Sequence, residues 1–266
     1  MSTSSKTAVV TGASSGIGAV YADRLAARGY DLVLVARRAD RLNALADKLS
    51  TTYGRKVQVL AADLAKESDL ARVEDVLRRD ASVRVLVNNA GLARFSPFAQ
   101  SAVDDTASQL ALNITALTRL THAVLPGFVS RNEGAVINIA SVLAVHALPI
   151  STVYSATKAY VLQFTRGLQQ ELATTGVKIQ AVLPAATATE IWSEEISGVP
   201  LSALEASRVM SAEDLVDAAL AGFDKGETVT WPSVDDDGLW NTFDAARAAL
   251  FGATQTGTPA SRYKKA

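Results

Sequence analysis

The sequence predicts a doubly wound α/β domain, in which helices cover both faces of one seven-stranded, mainly parallel sheet. Three observations lead to this prediction. Short runs rich in β-branched residues alternate with longer helical patterns along most of the chain. Most of these short runs are apolar on both faces, as central strands of a parallel sheet are. A glycine-rich turn at residues 12–18 joins the first strand to the first helix.

The same patterns place the individual elements. We expect strands at residues 7–10, 31–36, 57–62, 83–88, 135–140, 177–183 and 228–231. We expect helices near residues 16–28, 39–52, 67–79, 104–130, 153–174, 212–225 and 239–251. Because a parallel strand can be reached only through a crossover, this alternation predicts right-handed strand–helix–strand units.

The sequence predicts a single domain with a short tail. No linker or break in composition precedes residue 252, so we expect one domain over residues 1–252. Residues 253–266 are polar and basic and are expected to form the tail. Residues 185–210 lack a regular pattern, and an irregular connection this long is typical of a lid, a binding loop or disorder.

The composition excludes several classes of function. The 266 residues carry a formal net charge of −1, which gives nucleic acid no basic surface to bind. The absence of cysteine excludes disulfides, thiolate catalysis and cysteine-bound metals, and His122 and His146 alone do not predict a metal site. The chain starts without a secretory signal, and no apolar run approaches the ~18 residues of a membrane helix. We therefore expect a cytoplasmic protein.

The glycine-rich turn is the first candidate binding site. The stretch TGASSGIG holds Gly12, Gly16 and Gly18. Glycine lets the backbone turn sharply and approach a ligand, and the free amides at the start of the next helix favour an anion. The spacing GxxxGxG differs from the usual GxGxxG, and three glycines could form merely a tight turn. The position between the first strand and the first helix favours a dinucleotide pyrophosphate site instead.

Two arginines indicate which dinucleotide binds. Arg37 and Arg38 follow the second strand, where NAD-binding proteins of this fold have an acidic residue for the ribose hydroxyls. An arginine at that place suits a 2′-phosphate. The pair could also be two solvated surface residues. Because both cations lie at the start of a helix, where the macrodipole disfavours them, we expect an anionic partner and predict NADP(H) over NAD(H).

A tyrosine and a lysine form the candidate catalytic pair. In VYSATKAY, Tyr154 and Lys158 are four residues apart, so one helical turn places both side chains on the same face. An isolated Y-x-x-x-K is more often a packed tyrosine beside a solvated lysine. The other motifs of the chain decide between these interpretations.

These motifs together resemble the short-chain dehydrogenase/reductase family, from the glycine turn to about residue 190. The resemblance is in the order and spacing of TGASSGIG (11–18), AADL (61–64), NNAG (88–91), ALNIT (111–115), Ser141 and YSATK (154–158). It implies a Rossmann fold and an NADP(H)-dependent oxidoreductase. It also implies a homodimer or homotetramer, formed through the helices near 104–130 and 153–174.

The resemblance further implies which residues form the site. In the family, Ser141, Tyr154, Lys158 and Asn113 correspond to catalytic positions, and Asn88 braces the sheet. Cofactor contacts correspond to Gly12, Ser14, Ser15, Gly16, Ile17, Gly18, Arg37, Arg38, Asp63, Leu64, Asn89, Ala90, Gly91, Tyr154, Lys158, Pro184, Thr187 and Thr189. One departure is PAATAT, where Ala185 replaces the glycine of the family's P-G-x-x-x-T and puts the path of that loop in doubt.

The expected chemistry is hydride transfer coupled to proton transfer. Free tyrosine has a pKa of about 10. We expect the Lys158 ammonium, with the positive charge of an oxidised nicotinamide, to lower the pKa of Tyr154 so that it exchanges a proton with the substrate oxygen. Ser141 is expected to donate a hydrogen bond to that oxygen. By resemblance, Lys158 also holds the nicotinamide ribose, and Asn113 keeps a water that connects Lys158 to solvent.

The segments expected to surround the substrate are mostly apolar. They are residues 92–98, 142–151 and 185–200, and candidate wall residues include Phe95, Val142, Leu143, Leu148 and Trp192. They favour a ketone or aldehyde with an apolar body. Arg94 could meet a substrate carboxylate or remain solvated, and His146 is expected to be a bystander.

Three alternatives remain from the sequence. The first is a 3-oxoacyl-thioester reductase. The second is an NADP(H)-binding redox sensor without catalysis, although such proteins commonly lack the tyrosine or the lysine. An epimerase or dehydratase is the third, but it would need a larger substrate domain after residue 190 than this chain provides.

Overall fold

The computed structural model describes residues 6–264, which form two units. The first unit ends at Pro232 and contains the sheet, and the second begins at Ser233. The domain end expected at residue 252 lies inside the second unit, within helix α8 (Gly238–Ala253), and the single-domain boundary stays a prediction. None of the helices over residues 6–264 has both the length and the apolar character that crossing a bilayer requires.

The predicted sheet is confirmed, with every paired strand parallel. Its order is β3-β2-β1-β4-β5-β6-β7. The strands are β1 (Thr7–Thr11), β2 (Asp31–Ala36), β3 (Val57–Ala61), β4 (Val83–Asn88), β5 (Gly134–Ile139), β6 (Val177–Val182) and β7 (Val229–Thr230). The order reverses between β1 and β4, and the loops that leave the carboxyl ends of these two strands diverge there. That divergence creates the crevice in which open α/β sheets bind ligands.

The helices also follow the predicted pattern, with one exception. They are α1 (Gly16–Ala27), α2 (Ala39–Tyr53), α3 (Glu67–Arg79), α4 (Val103–Leu110), α5 (Leu117–Arg131), α6 (Thr152–Glu171), α7 (Ala212–Lys225) and α8. The helical stretch expected near residues 104–130 is present, but it is not α-helical throughout, because a π-helical stretch, Ala111–Ala116, lies between α4 and α5. This wider turn contains Asn113, whose side chain bonds to groups outside the helix.

Helices pack on both faces of the sheet, as the apolar strands require. Along β1 every residue is buried, and neighbouring side chains enter opposite layers. Val10 packs in a layer with residues of α1, α2 and α7, whereas Val9 packs in a layer with residues of α3, α5 and α6. This double coverage leaves the ends of the strands as the accessible edge of the sheet. The carboxyl ends carry the loops of the candidate site.

The segment expected to be irregular, residues 185–210, is a folded loop. It contains two short 3₁₀ turns, Leu201–Ala203 and Ala206–Arg208. A parallel bridge between Thr187 and Met210 holds its two ends together. The sequence alternative of a disordered connection is therefore wrong, because backbone hydrogen bonds close the segment on itself.

Candidate active site

The glycine turn lies directly after β1 and depends on glycine at three positions. Gly12 and Gly16 have φ values of +67° and +53°, in the left-handed region that residues with a Cβ rarely adopt. A Cβ on Gly18 would stand 2.3 Å from the Gly12 carbonyl oxygen. Ser14 and Ser15 are half-buried at the top of the turn, and Ile17 packs against the core below α1. The turn therefore forms a shallow backbone cradle at the start of α1.

The segment after β4 is fixed against this turn. The Thr11 hydroxyl accepts hydrogen bonds from the amides of Asn89 and Ala90, each at 3.0 Å. The Asn89 side-chain amide donates to the carbonyl of Thr11 at 2.9 Å. One step earlier, Asn88 donates to Asn138 Oδ1 on β5 at 2.9 Å. Asn88 thus connects the central strands β4 and β5. Asn89 and Ala90 fix the segment after β4 to the end of β1.

Asp63 and Leu64 follow β3 on the same edge of the sheet. Leu64 is buried, and Asp63 accepts a hydrogen bond from the amide of Ala65 at 3.1 Å. The amide of Asp63 itself donates to Asp69 Oδ2 at 2.9 Å. These local bonds fix the turn that follows β3, in which Leu64 packs into the core.

The candidate catalytic residues come from different elements and meet between the carboxyl end of β5 and the start of α6. Ser141 follows β5, is buried, and its hydroxyl accepts from the Leu143 amide at 3.1 Å. Tyr154 and Lys158 lie in the first two turns of α6, as the sequence predicts. Lys158 is buried, and its amine lies 5.6 Å from the centre of the Tyr154 ring while it donates to the Ile139 carbonyl at 2.8 Å.

The pKa of Tyr154 differs from the sequence-based expectation. Burial raises the pKa of the Tyr154 hydroxyl to about 12, and the Ser141 hydroxyl lowers it only in part. Burial also lowers the pKa of Lys158 to about 8. Both shifts have one cause, because a charged form loses hydration when it is surrounded by protein. In the protein alone, burial is therefore the main influence on the pKa of Tyr154, which is a neutral phenol at pH 7 that can donate a proton.

Asn113 links the catalytic helix to the segment after β4. Its side-chain oxygen accepts from the Leu92 amide at 2.8 Å, and its nitrogen donates to the Leu92 carbonyl at 2.8 Å and to the Thr157 hydroxyl at 3.0 Å. A Cβ on Gly91 would lie 3.4 Å from Asn113 Oδ1 and 3.6 Å from Lys158 Nζ. Gly91 therefore leaves open the space beside these two polar groups.

The two arginines after β2 occupy different environments. Arg38 turns back to the glycine turn and donates to the hydroxyls of Ser14 at 3.0 Å and Ser15 at 2.7 Å. Its remaining nitrogen lies 2.6 Å from Glu190, which also bonds to Arg41. Arg37 is exposed, and within residues 6–264 no acidic side chain pairs with it. The expected anionic partner is thus present in the protein itself for Arg38, as Glu190, but, in the described part of the chain, not for Arg37.

The loop after β6 accommodates Ala185 without strain. Within residues 6–264, the single non-glycine residue with positive φ is Asn132, so Ala185 does not need the conformational freedom of glycine. The Pro184 carbonyl accepts from the Val142 amide at 2.9 Å, which ties this loop to the end of β5. Thr187 is buried, and the methyl group of Thr189 would lie 2.9 Å from a Cβ on Gly16. The loop therefore reaches the glycine turn.

Tyr154, Phe95 and Trp192 form a row of aromatic rings. Phe95 meets the Tyr154 ring edge to face, with centroids 5.5 Å apart, and stacks on Trp192 at 5.6 Å. Trp192 is fixed by a hydrogen bond from its indole nitrogen to the Thr187 carbonyl at 2.9 Å. The Phe95 amide donates to the Ser197 carbonyl at 2.8 Å, so the segments predicted to wall the substrate side are bonded together.

The remaining predicted wall residues are less uniform. Val142 and Leu143 are half-buried, and Leu148 is exposed. His146 is exposed, and Arg94 pairs with Asp105 at 3.3 Å and donates to the Glu195 carbonyl. Arg94 therefore connects parts of the wall, and its contact with a substrate carboxylate or phosphopantetheine stays a prediction from the sequence.

Comparison with known proteins identifies the class to which this fold and site belong. The family described as short chain dehydrogenase matches residues 6–199, and the chain belongs to this family. Very-long-chain 3-oxoacyl-CoA reductase-A of Danio rerio is 36% identical over 190 residues, which cover 70% of this chain and 59% of that protein. The chain spans about three fifths of the length of the curated relatives it matches.

Two solved structures match nearly the whole chain. A short-chain dehydrogenase from Sphingobium yanoikuyae in complex with NADPH is 46% identical, with a TM-score of 0.93 over 97% of this chain and 100% of that one. The bulky-bulky ketone specific alcohol dehydrogenase from Comamonas testosteroni is 41% identical, with a TM-score of 0.89 over 99% of this chain and 100% of that one.

Three features of the site were not found from the sequence. They are the two bonds between Glu190 and the arginines, the Thr157 bond to Asn113, and the stacking of Phe95 on Trp192. For the first feature, the sequence shows that an acidic residue, Glu190, follows the predicted cofactor contact Thr189. The sequence does not show that Glu190 reaches the arginines near the end of β2, because that depends on the fold of the loop.

Proposed function

We propose that this protein is an NADP(H)-dependent oxidoreductase that interconverts a ketone or aldehyde with the corresponding alcohol. The observation that supports this most directly is the set of Ser141, Tyr154 and Lys158 at the carboxyl edge of the sheet. A half-buried phenol beside a buried amine, each with a shifted pKa, is characteristic of a proton-transfer site. The glycine cradle lies on the same edge.

The residues of the crevice fit NADP(H). A Cβ at Gly12 would come within 2.7 Å of the Asn89 side chain, so this position must be glycine for the turn to lie against the segment after β4. Gly12, Ser14 to Gly18, Asn89 to Gly91 and the loop residues Pro184, Thr187 and Thr189 would hold the dinucleotide. Arg38 and Arg37 would take the 2′-phosphate, and Asp63 and Leu64 would flank the adenine. When bound, NADPH supplies a hydride to the carbonyl carbon, and NADP⁺ accepts one from the alcohol.

The side chains of this protein would move the proton. Tyr154 donates its hydroxyl proton to the carbonyl oxygen as the alcohol forms, and takes it back in the reverse direction. Ser141 donates a hydrogen bond to the same oxygen and stabilises the negative charge that develops there. Lys158 stabilises the phenolate that remains, because an ammonium nearby favours the charged form. Asn113 orients the segment beside Lys158 through its two bonds to Leu92.

We infer a substrate whose carbonyl carries an apolar, preferably aromatic, group. Phe95 contacts the Tyr154 ring and stacks on Trp192, and aromatic rings of this kind bind flat apolar groups well. The similarity to an alcohol dehydrogenase specific for bulky-bulky ketones supports the same substrate class. The expected cytoplasmic location and the homodimer or homotetramer stay predictions from the sequence.

The decisive experiment is a screen of NADPH oxidation with aldehydes, quinones, and ketones that carry aryl groups of increasing size, run in parallel with NADH. We expect turnover of aryl ketones with NADPH and its loss in Tyr154→Phe by at least about 1000-fold, with NADPH binding retained. Tyr160→Phe is the matched control, because it removes a hydroxyl from an exposed tyrosine of the same helix. Turnover retained in Tyr154→Phe would show that another group transfers the proton.

A 3-oxoacyl-thioester reductase is the second candidate, since several of the curated relatives are very-long-chain 3-oxoacyl-CoA reductases. The same screen should therefore include 3-oxoacyl-CoA esters of several chain lengths. Higher kcat/KM for these than for aryl ketones would favour this candidate. NADPH binding without oxidation of the cofactor by any carbonyl would favour the sensor alternative.

A further inference from the structure

A glutamate lies among the arginines that the proposed function assigns to the cofactor. Glu190 Oε2 is 2.6 Å from Arg38 Nη1, and its other carboxylate oxygen bonds to Arg41. The two bonds place one carboxylate between two guanidinium groups. All three side chains are half-exposed, with fractions of 38%, 44% and 45% for Arg38, Arg41 and Glu190.

The Glu190 carboxylate lies beside the glycine turn, where the proposed function places the 2′-phosphate of the cofactor. Arg38 bonds at the same time to Ser14 and Ser15, which belong to the glycine turn. Arg38 also precedes α2 directly after β2, where proteins of this fold distinguish NADP from NAD. A nearby acid, Asp40 in the first turn of α2, has no bond to either arginine in the described structure. Glu190 is therefore the carboxylate that balances the positive charges of Arg38 and Arg41.

The electrostatic effect of the two arginines on Glu190 is large. Hydrogen bonds from Arg41 and Arg38 lower the pKa of the Glu190 carboxyl to about 2. It is therefore fully ionised at neutral pH, and a second anion in contact with it would be repelled. A 2′-phosphate, with its two negative charges and its preference for guanidinium donors, requires the same nitrogens.

We propose that Glu190 is an internal competitor for the 2′-phosphate site and thereby sets the preference of this protein between NADP(H) and NAD(H). This inference rests on the proposed function, since it assumes that Arg38 receives a 2′-phosphate. A phosphate that binds Arg38 must displace the Glu190 carboxylate from at least one of its two bonds. A dinucleotide without the phosphate leaves the pair intact and meets no competition. Glu190 therefore weakens the binding of NADP(H) but not of NAD(H).

The test is calorimetric titration with two fragments that differ only in the phosphate, 2′,5′-ADP and 5′-ADP. We expect Glu190→Gln to tighten 2′,5′-ADP by about three- to thirtyfold, the range that two half-exposed ion pairs allow, and to leave 5′-ADP within about twofold. The ratio of the Kd values for NADP⁺ and NAD⁺ should shift by the same factor. Because Glu190 is half-exposed, the variant should fold, and Glu190→Ala serves as a second variant with the same expectation.

Glu194→Gln is the matched control. It removes one negative charge from an exposed residue of the same loop that has no hydrogen bond or ion pair among residues 6–264. We expect the affinity of this variant for 2′,5′-ADP to stay within about twofold of the wild type. Equal tightening in Glu194→Gln and Glu190→Gln would mean that net charge alone acts, and would overturn the proposal.

The remaining outcomes separate this inference from the proposed function. If the wild type prefers 2′,5′-ADP to 5′-ADP and Glu190→Gln leaves that preference unchanged or weaker, the inference is overturned and the NADP(H) assignment stands. If neither the wild type nor the variant prefers 2′,5′-ADP, the NADP(H) assignment fails together with the inference.

Discussion

Two polar clusters lie on the carboxyl edge of the same sheet, and they differ in their contact with water. Ser141, Tyr154 and Lys158 form the candidate catalytic cluster, at the carboxyl end of β5 and the start of α6, in which burial is the main cause of the pKa shifts. Arg38, Arg41 and Glu190 form a phosphate-end cluster near the end of β2, in which direct ion pairs are the main cause. In the first cluster Ser141 and Lys158 are buried and Tyr154 is half-buried, whereas the second cluster is half-exposed.

From this difference we expect the first cluster to control the rate of the reaction and the second to control the choice of cofactor. In a buried cluster, small changes in charge cost much because no water compensates them, so each residue should matter for the reaction. In a half-exposed cluster, solvent and salt screen each pair, so individual residues should tune binding by modest factors. The predictions below test whether the two clusters differ in this way.

The largest effect is expected for Lys158→Met, which removes the buried amine but keeps the length of the side chain. Turnover should fall by about 100- to 10,000-fold, because Tyr154 loses the cation that stabilises its phenolate. The measurement is kcat with NADPH at saturating substrate. Lys178→Met, which changes an exposed lysine on β6, is the control and should retain turnover.

The same variant tests burial through the pH dependence of stability. The folded pKa of Lys158 is about 8, below its unfolded value of about 10.4, so the folded protein binds fewer protons between these pH values. The desolvation cost of the ammonium is fully present below pH 8 and disappears as the pH rises through this window. The stability of Lys158→Met relative to the wild type should therefore fall by roughly 1–3 kcal/mol from pH 7 to pH 10.

Urea unfolding at the two pH values measures this difference. Tyr154 and Tyr21 also titrate at high pH, but they are present in both proteins, so the comparison isolates the lysine. A difference that is independent of pH would mean that the Lys158 amine is solvated in the folded protein.

A smaller effect is expected in the phosphate-end cluster. Arg38→Ala should weaken NADPH binding relative to NADH by about 10- to 100-fold, because it removes a charged donor to the 2′-phosphate. Arg37→Ala should also weaken NADPH more than NADH, by a smaller factor, since Arg37 does not bond to the glycine turn. Kd values from fluorescence titration at two salt concentrations would show this.

The salt dependence distinguishes the clusters further. Raising the ionic strength should weaken NADPH binding more than NADH binding in the wild type, and this difference should shrink in Arg38→Ala. Equal weakening of both cofactors by either arginine substitution would place the 2′-phosphate away from the end of β2.

The smallest effect is expected for Tyr21→Phe, which serves as a buried reference without function. The Tyr21 side chain in α1 is fully buried, and its hydroxyl has no hydrogen-bond partner within residues 6–264. Removing the hydroxyl should leave turnover unchanged and raise stability by about 1 kcal/mol, because a buried unpaired polar group is lost. A clear loss of stability on urea unfolding would mean that the hydroxyl is bonded after all.

The sequence predicted the sheet and the positions of Tyr154 and Lys158 on one helix well because both depend on local patterns, while the catalytic role of these residues stays a prediction. The strands are mostly apolar runs, and no strand end in the structure differs by more than one residue from the prediction. Tyr154 and Lys158 share a face of α6 because helical geometry alone fixes residues four apart. The interruption at Asn113 was missed, since the π-helical turn depends on bonds to Leu92 and Thr157, which are distant in sequence.

The sequence by itself determined the order of strands and helices, the glycine turn and the identity of the residues that meet at the carboxyl edge. Only the tertiary structure decided how those residues are charged and paired. The pKa values of Tyr154 and Lys158 depend on how much water the packed chain excludes, and the bonds of Arg38 to Ser14 and Glu190 join residues 24 and 152 positions apart. Exclusion of water and long-range pairing arise only when the chain is folded, because neither is a property of a local pattern.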